Sequence, residues 1–458
     1  MTAFRVFVVY LQQNNGLKLH DMKHLLTAMA LLAAAALHAQ NIHTQGAEPY
    51  RSKIAPYGSA AEAAAGDTAQ SRYIVPLNDL TRTEADGKVR FTADYVYPSA
   101  WLNRQILVRI ESASTGYTVE ANGKTAGYTQ NGAVPVEFNL TKTSQQGVNT
   151  LSIIIDTAAA DPLLKTGVAW LGRVEIISQP TIRVRDIMHA TSLNDAGDGV
   201  AEFAIAVKTD ALNTKQARIE YELENGAGQS FAHGFQDISL DMRREDTVRF
   251  SAIVPKEFLW TTEKPEQLKL TVRNRIEGRI SEIEVIPVGL REAAYSAGIL
   301  TVNSMPQSVK AKVVAPNISK DELLALKEQG YNAVTVEAGE AALSLYEACD
   351  AAGMYAIPQL AADTSAGGRS IRRGGNPSND PELTETYADR ALAMYHTSKN
   401  HPSVIAYSLG HGITNGINPY ETYLLLKRLE TGRPIIYDGA GKEWNNDAFD
   451  LQTVRPLR

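Results

Sequence analysis

Residues 399–412 have the sequence KNHPSVIAYSLGHG, in which an apolar run follows a proline and leads into a Gly-rich loop. The run Val404–Leu409 has the length of a strand and no alternation of polar and apolar side chains. It therefore predicts a parallel strand that is buried on both faces. The loop that begins at Gly410 then lies at the carboxyl end of the sheet, where parallel β/α folds carry their chemistry.

The sequence around this strand alternates between β and α periods from Gly289 onward. Ser319 is a helix N-cap signal, and Glu322 stands three residues later at the capping-box position. This alternation indicates a parallel sheet, and residues 289–458 provide about five βα units of a (β/α)8 TIM barrel. The predicted strands are 310–315, 332–336, 354–360, 404–409 and 434–437, and the predicted helices are 319–329, 341–352, 381–397 and 420–429.

Before Gly289 the periodicity is that of β-sheet. Arg90–Tyr97 and Tyr117–Ala121 alternate, and Asn122-Gly123 is a type I′ hairpin signal between two strands. Short strands of this kind indicate a β-sandwich. A second β-rich block starts at Pro180. In contrast, residues 41–72 are rich in Ala, Gly and Ser, and we predict that they form a leader or a loosely packed arm. Further strands are predicted at 106–111, 134–140, 150–155, 201–208, 217–223, 247–253 and 267–273.

Three motifs resemble glycoside hydrolase family 2, the β-galactosidase type. The family signature N-H-P-S-[IV]-I-x-W-S-L-G-N-E is similar to Asn400–Gly412. Thr118–Tyr128 resembles V-W-V-N-G-x-x-V-G-Y, and Phe258–Pro265 resembles L-W-S-P-E-x-P. The resemblance implies several domains: an N-terminal extension with a signal peptide (1–40), a jelly-roll sugar-binding-like sandwich (41–179), an immunoglobulin-like sandwich (180–288) and a partial TIM barrel (289–458).

The resemblance also implies where the catalytic groups should stand. The family's Asn-Glu pair is His411-Gly412 here, so Gly412 occupies the position of the general acid. The family's nucleophilic Glu belongs to a later strand, beyond Arg458. Retaining glycosidases need two carboxylates about 5 Å apart. We therefore expect a catalytically inactive member of the family that acts as a carbohydrate-binding or assembly component.

Other active-site motifs of the family have changed in the same way. The family's N-A-V-R-x-S-H-Y-P corresponds to Asn332–Glu340, which lacks the Arg, His, Tyr and Pro. Of the metal-binding carboxylates that the family carries after the third barrel strand, only Asp363 remains. His411 and Asp363 are thus the weak candidates for a relocated site, with Glu337 and Glu340 at neighbouring strand ends.

Two alternatives remain open. One is an active β-galactosidase-like O-glycosyl hydrolase, with a relocated site or as the front part of a longer enzyme. The other is a structural subunit of an envelope complex, in which a protein partner covers the open edge of the barrel. An open sheet edge leaves backbone groups unpaired, so it requires a cover, which a partner, a compact rearrangement or further sequence outside this chain could provide.

Composition excludes several classes of function. The net charge is −6 without charge blocks, which argues against a nucleic-acid partner. Phosphate-binding, serine-hydrolase and zinc motifs do not occur in the sequence, so we expect no cofactor and no metal. The single cysteine, Cys349, is predicted to be buried in a helix. Trp260 is interpreted as a core anchor rather than a sugar platform, and Gly367–Asn376 as a flexible loop rather than an anion site.

The N-terminal region has the organisation of a signal peptide. Met22–His24 is basic, Leu25–Leu37 is apolar, and Ala39 ends a cleavage-site pattern with small residues. The apolar run is too short and too rich in Ala for a membrane span. We therefore expect an exported protein, which is periplasmic, secreted or associated with the outer envelope, without a transmembrane segment in the mature chain. Residues 1–21 precede a second start at Met22.

Overall fold

The computed structural model describes residues 44–157, 161–164, 167–337, 343–363, 376–410 and 416–437. These residues form two antiparallel β-sandwiches, followed by parallel strands and helices. Each of the three units has its own cluster of buried apolar side chains. Among the helices in these ranges, none is long and apolar enough to cross a bilayer.

The first sandwich contains a six-stranded sheet (order β1-β8-β7-β10-β5-β4) and a four-stranded sheet (order β3-β11-β6-β9). Asn122 and Gly123 join β7 to β8, with φ values of 52° and 71°, as a type I′ hairpin requires. The strands are β1 (Thr44–Gln45), β3 (Ile74–Pro76), β4 (Thr81–Ala85), β5 (Lys88–Tyr97), β6 (Arg104–Ile110), β7 (Tyr117–Ala121), β8 (Lys124–Thr129), β9 (Val136–Asn139), β10 (Gly147–Asp156) and β11 (Val174–Pro180). Strand β2 (Pro56–Tyr57) precedes β3 in the chain but belongs to the second sandwich. Helix α1 is Ala60–Ala65, and 3₁₀ turns occur at Thr68–Gln70 and Ser99–Trp101.

The second sandwich packs a three-stranded sheet (order β12-β13-β16) against a five-stranded sheet (order β15-β14-β17-β18-β2). All four strands that alternation predicts in this block are present. Its strands are β12 (Ile182–Leu193), β13 (Gly199–Thr209), β14 (Lys215–Glu224), β15 (Ser230–Leu240), β16 (Glu245–Val254), β17 (Leu268–Ile276) and β18 (Arg279–Val288), with a 3₁₀ turn at Lys256–Phe258.

The third unit begins with a small antiparallel sheet and continues as parallel strands. Single bridges between Ala356 and Val404 and between Gln359 and Ser408 connect its two groups of parallel strands. The antiparallel strands are β19 (Ala293–Ser296), β20 (Ile299–Val302) and β21 (Met305–Pro306). The parallel strands are β22 (Ala311–Val313), β23 (Ala333–Thr335), β24 (Tyr355–Ala356), β25 (Tyr407–Ser408) and β26 (Ile435–Ile436). The helices are α2 (Lys320–Glu328), α3 (Leu343–Ala352), α4 (Thr384–Ser398) and α5 (Ile417–Leu429), and 3₁₀ turns occur at Pro377–Asn379 and Pro381–Leu383.

The five predicted parallel strands and the four predicted helices between them are present in the described residues, but several elements are shorter than the sequence suggests. The third strand covers only Tyr355–Ala356, because Pro358 has no N–H to continue the ladder. The long helix starts at Thr384 instead of Pro381, since Asp380 caps a separate 3₁₀ turn before it. The capping box of Ser319 and Glu322 is confirmed.

Residues 44–57 connect the two sandwiches. Strand β1 extends the first sandwich, whereas β2 pairs with β18 of the second, placing Tyr57 opposite Ile283. Ile54 between them is completely buried, and Arg51 forms a buried ion pair of 2.8 Å with Glu137. The prediction of a loosely packed arm over residues 41–72 is therefore wrong for this segment, because its side chains fill the junction.

Glu284 on β18 is a completely buried carboxyl at this junction. Burial raises its pKa well above the usual range, and the neighbouring charge of Glu282 raises it further. The folded state thus keeps a proton that the unfolded chain releases above about pH 4.3. Stability is therefore expected to fall as the pH rises from that value toward the folded pKa, by up to about 1.4 kcal/mol per pH unit.

Glu284→Gln is expected to remove this contribution to the pH dependence, because the amide does not ionise. Urea denaturation of the wild type and the variant between about pH 5 and about pH 8 checks it. Glu84→Gln is the matched control, since the Glu84 side chain is 59% exposed on β4. If the free energy of unfolding changes equally with pH in the wild type and in Glu284→Gln, the prediction is contradicted.

Candidate functional site

The carboxyl end of the parallel strands is where barrel enzymes bind their substrates. Here four buried apolar side chains lie at that end in the described residues. Val336 follows β23, Leu360 lies beyond β24, Leu409 follows β25 and Tyr437 follows β26. Each side chain is at most 4% exposed, and all four belong to one apolar cluster. A glycosidase would instead present carboxylates to a bound sugar at this end.

A segment that follows β10 of the first sandwich, residues 161–164, contacts the barrel unit beyond the end of β24. Leu163 is completely buried within the same apolar cluster. Its carbonyl accepts a hydrogen bond of 2.6 Å from the N–H of Asp363. Asp161 shapes the segment, because its Oδ1 accepts from the N–H groups of Leu163 at 2.8 Å and Leu164 at 3.0 Å. The segment is thus built into the barrel unit.

Arg390 on α4 holds the segment from the other side. Its Nη2 donates to both carboxylate oxygens of Asp161, at 2.8 and 2.7 Å, and both side chains are 1% exposed. Its Nη1 donates to the carbonyl of Ala361. Because an unpaired charge is costly in such an environment, the pair stabilises the position of the segment. Tyr50 also reaches α4, donating to Asp389 at 3.0 Å.

The predicted site residues differ in where the structure places them. Asp363 is half-buried at the carboxyl end, beside Leu163, whereas Glu337 is exposed after β23. His411, Gly412, Glu340 and the basic loop at 367–375 lie outside the described residues. Within the ranges that the structure describes, no group of three or more His, Cys, Asp or Glu side chains is placed to hold a metal ion.

The Asn-His-Pro-Ser part of the signature lies at the opposite, amino end of the strands, at the joint between the barrel unit and the second sandwich. The Asn400 side chain donates to the carbonyl of Ile187 on β12 at 2.6 Å. The Nδ1 of His401 is 2.6 Å from Asp350 at the end of α3, and the N–H of Ser403 donates to the same carboxylate at 3.0 Å. Asn400 therefore attaches the barrel unit to the second sandwich, whereas His401 and Ser403 fix the same segment to α3 within the barrel unit.

Lys399 and Asp186 add a buried ion pair to this joint. The ammonium group donates to Asp186, whose other oxygen accepts from the N–H and the hydroxyl of Ser52 at 3.1 and 2.8 Å. Burial alone would raise the pKa of Asp186, but the charges of Lys399 and Arg185 lower it to about 2. The carboxylate is thus ionised under all ordinary conditions and binds three parts of the chain together.

Trp260 is a core anchor, as predicted. It is completely buried, its Nε1 donates to the carbonyl of Asp350 at 2.9 Å, and its ring lies 6.1 Å from that of Tyr355. Gly289 allows Pro402 and Trp260 to pack closely against the backbone, because a Cβ at this position would lie 2.3 Å from the Pro402 side chain and 3.2 Å from the Trp260 ring. The predicted burial of Cys349 is confirmed too.

Comparison with known proteins shows which family the chain resembles. Residues 306–454 match the description "Glycosyl hydrolases family 2, TIM barrel domain". The β-galactosidase of Priestia megaterium is 24% identical over 393 residues, which cover 80% of this chain and 38% of the relative. The β-galactosidase of Pectobacterium atrosepticum is 23% identical over 405 residues, covering 83% and 38%. This part of the chain thus resembles the TIM barrel domain of glycoside hydrolase family 2, and the chain spans about 38% of the length of these curated relatives.

Solved structures share the fold. A glycosyl hydrolase family 2 member from Bacteroides cellulosilyticus superimposes with a TM-score of 0.65 at 16% identity, over 89% of this chain and 58% of that one. The β-glucuronidase of Bacteroides uniformis gives 0.66 at 17% identity, over 86% and 52%. The family resemblance inferred from the signature is therefore confirmed, and the parallel strands belong to the family's TIM barrel domain.

Proposed function

We propose that this chain is a catalytically inactive member of the family that serves as a carbohydrate-binding or assembly component. One observation carries the proposal. Leu163 of the first sandwich is completely buried in the apolar cluster that also contains Val336, Leu360 and Leu409, and its carbonyl accepts a hydrogen bond from Asp363 beyond β24. Barrel enzymes bind their substrates at this carboxyl end of the strands. A sugar ring cannot occupy a position that is filled by packed apolar side chains.

The charged groups near this end support the same proposal. The carboxylate of Asp161 already accepts hydrogen bonds from Arg390 and from two backbone N–H groups, so it serves to hold the fold together. Glu337 is exposed, and Asp363 is attached through its N–H to Leu163. The sequence adds that Gly412 occupies the general-acid position of the signature. Retaining hydrolysis requires a pair of carboxylates around the scissile bond.

Hydrolysis can be assayed with nitrophenyl β-D-galactoside and nitrophenyl β-D-glucuronide. We expect no turnover above the buffer rate from the purified full chain. His411→Ala and Asp363→Ala are the matched variants, because these residues are the candidates for a relocated site. If the wild type hydrolyses a substrate and either variant does not, the proposal is overturned. If both variants retain the activity, a contaminating enzyme is indicated, and the assay is repeated after further purification.

The binding and assembly roles need a separate measurement. Co-purification from the native envelope, with the chain carrying a C-terminal tag, is expected to recover either a bound glycan or a protein partner. Treatment of the recovered complex with glycosidases or with protease then separates the two roles. A soluble, monodisperse monomer without glycan or partner would contradict both.

Export and the division of the chain form part of the proposal. We infer a jelly-roll sandwich at 41–179, an immunoglobulin-like sandwich at 180–288 and a partial barrel at 289–458, after a signal peptide cleaved near Ala39. N-terminal sequencing of the native protein is expected to start at Gln40 or Asn41. A native protein that begins at Met1 or Met22 would exclude cleavage.

Two other functions each have one supporting observation. Asp363, half-buried at the carboxyl end of the strands, favours an active β-galactosidase-like hydrolase with a relocated site. Val313, 51% exposed on β22, favours a structural subunit, because β22 pairs only with β23 in the described part of the chain. The hydrolysis assay and the co-purification distinguish these functions from the proposed one.

A further inference from the structure

A cavity of about 470 Å³ lies between the second sandwich and the amino end of the parallel strands. His189 on β12 forms one wall, Arg291 in the connection between the two units forms another, and Asn400 and Glu430 belong to the loops that close it. Ligand pockets have volumes of about 300–1,000 Å³ and occur preferentially at domain interfaces. The cavity thus has the size and the location of a small-molecule site.

Arg291 carries a positive charge in this cavity and forms no ion pair within 4.0 Å among the described residues, although the charge of Glu430 acts on it from a greater distance. Its Nε donates to the carbonyl of Pro402 at 2.9 Å, and its Nη2 donates to the carbonyl of Val404. Burial and the nearby charge of Arg433 lower the pKa of Arg291 to about 10. Arg433 has its own partner, Glu430, at 2.5 Å. A bound carboxylate would supply the charge that Arg291 lacks.

His189 adds a neutral polar group to the same wall. Burial and the charge of Arg291 lower its pKa to about 3, so the imidazole is uncharged at neutral pH. Its Nε2 is buried and has no hydrogen-bond partner in the described residues. An unsatisfied buried nitrogen is rare in native proteins, because it costs free energy. A ligand that brings a hydroxyl group to this wall would relieve that cost.

The remaining walls restrict the ligand further. Glu202 and Glu292 also line the cavity, and so do the apolar side chains of Met188, Val200 and Leu429. Two carboxylates disfavour an anion with several charges, but they accept hydrogen bonds from hydroxyl groups. The apolar side chains suit the carbon skeleton of a small organic molecule.

We propose that this cavity binds a small hydroxylated monocarboxylate, such as a sugar acid, with Arg291 holding its carboxylate and Glu202 and Glu292 accepting its hydroxyl groups. The site goes beyond the proposed function. It lies at the amino end of the strands and stands whether or not the chain hydrolyses glycosides.

The test uses the full chain and isothermal titration calorimetry with D-gluconate. D-glucitol is the matched control ligand, because it differs only in replacing the carboxylate with a hydroxymethyl group. We expect saturable 1:1 binding of gluconate, and binding of glucitol that is at least tenfold weaker. Inorganic phosphate, which carries more charge, should bind more weakly than gluconate. Equal binding of gluconate and glucitol, or no saturable binding of gluconate, would overturn the proposal.

Two variants locate the binding. Arg291→Gln should weaken gluconate binding at least tenfold and leave glucitol unchanged, with Arg90→Gln on the first sandwich as the matched control. Because Arg291 also supports the carbonyls of Pro402 and Val404, a second variant avoids that joint. Ala294→Leu fills the cavity and should abolish binding, whereas Ala85→Leu, at an exposed position on β4, should not. Unchanged binding in a folded Ala294→Leu protein would exclude this cavity.

Discussion

Arg390→Met is expected to lower the free energy of unfolding by about 3–5 kcal/mol, because it leaves Asp161 as a buried charge without its partner. Both side chains are 1% exposed, so water cannot replace the lost interaction. The packing of residues 161–164 against the barrel unit should also weaken, because Asp161 shapes that segment and Leu163 belongs to the apolar cluster of the barrel unit. Urea denaturation followed by circular dichroism measures the effect.

A double variant separates the ion pair from simple loss of packing. Asp161→Asn keeps the oxygen that accepts from the N–H groups of Leu163 and Leu164 but removes the charge. The combination of Asp161→Asn and Arg390→Met should therefore recover a large part of the stability lost in Arg390→Met alone. Arg90→Met is the control, because the pair of Arg90 with Glu120 is partly exposed and should contribute about 0–1 kcal/mol. A double variant as unstable as Arg390→Met would refute the charge explanation.

Trp260→Ala is expected to cost about 3–5 kcal/mol, the usual range for removing a large buried aromatic side chain. Trp260 is completely buried between the second sandwich and the barrel unit, and it donates to the carbonyl of Asp350. The variant removes both the packing and the hydrogen bond, so the attachment of the two units should weaken as well. Circular dichroism during urea denaturation reports the stability.

The chain offers a matched control for this prediction. Trp170 is 44% exposed, and Trp170→Ala should change the stability by less than about 1 kcal/mol. Trp260→Phe, which keeps most of the packing but removes the indole N–H, should fall between the wild type and Trp260→Ala. A loss in Trp170→Ala as large as that in Trp260→Ala would show that burial does not explain the effect.

Local patterns predicted most of the strands and helices, because those patterns are set by neighbours in sequence. Alternation placed β7 at Tyr117–Ala121, and the turn at Asn122-Gly123 followed from the φ values that those residues tolerate. The apolar run at Val404–Leu409 indicated a buried parallel strand. The family resemblance followed from the signature that contains this run.

The packing of Leu163 against the barrel unit could not be predicted in the same way. The partners of residues 161–164 are Asp363 and Arg390, which lie far away in sequence. The periodicity of apolar residues in a local stretch of sequence does not reflect such distant contacts. The role of Asn400 is a similar case. Its residue type and position matched a catalytic signature, but its hydrogen bond with the carbonyl of Ile187 depends on how two units pack.

The connecting segment at residues 44–57 has a consequence for the order of folding during synthesis. Strand β2 leaves the ribosome early, yet its partner β18 is made only when the second sandwich is nearly complete. The five-stranded sheet therefore has an unfilled edge position until an N-terminal segment, already synthesised, returns to it. Contacts between such distant residues slow folding. A chain that begins after Tyr57 should thus still form the inner strands of the second sandwich, but leave the edge of β18 open to pairing with other chains.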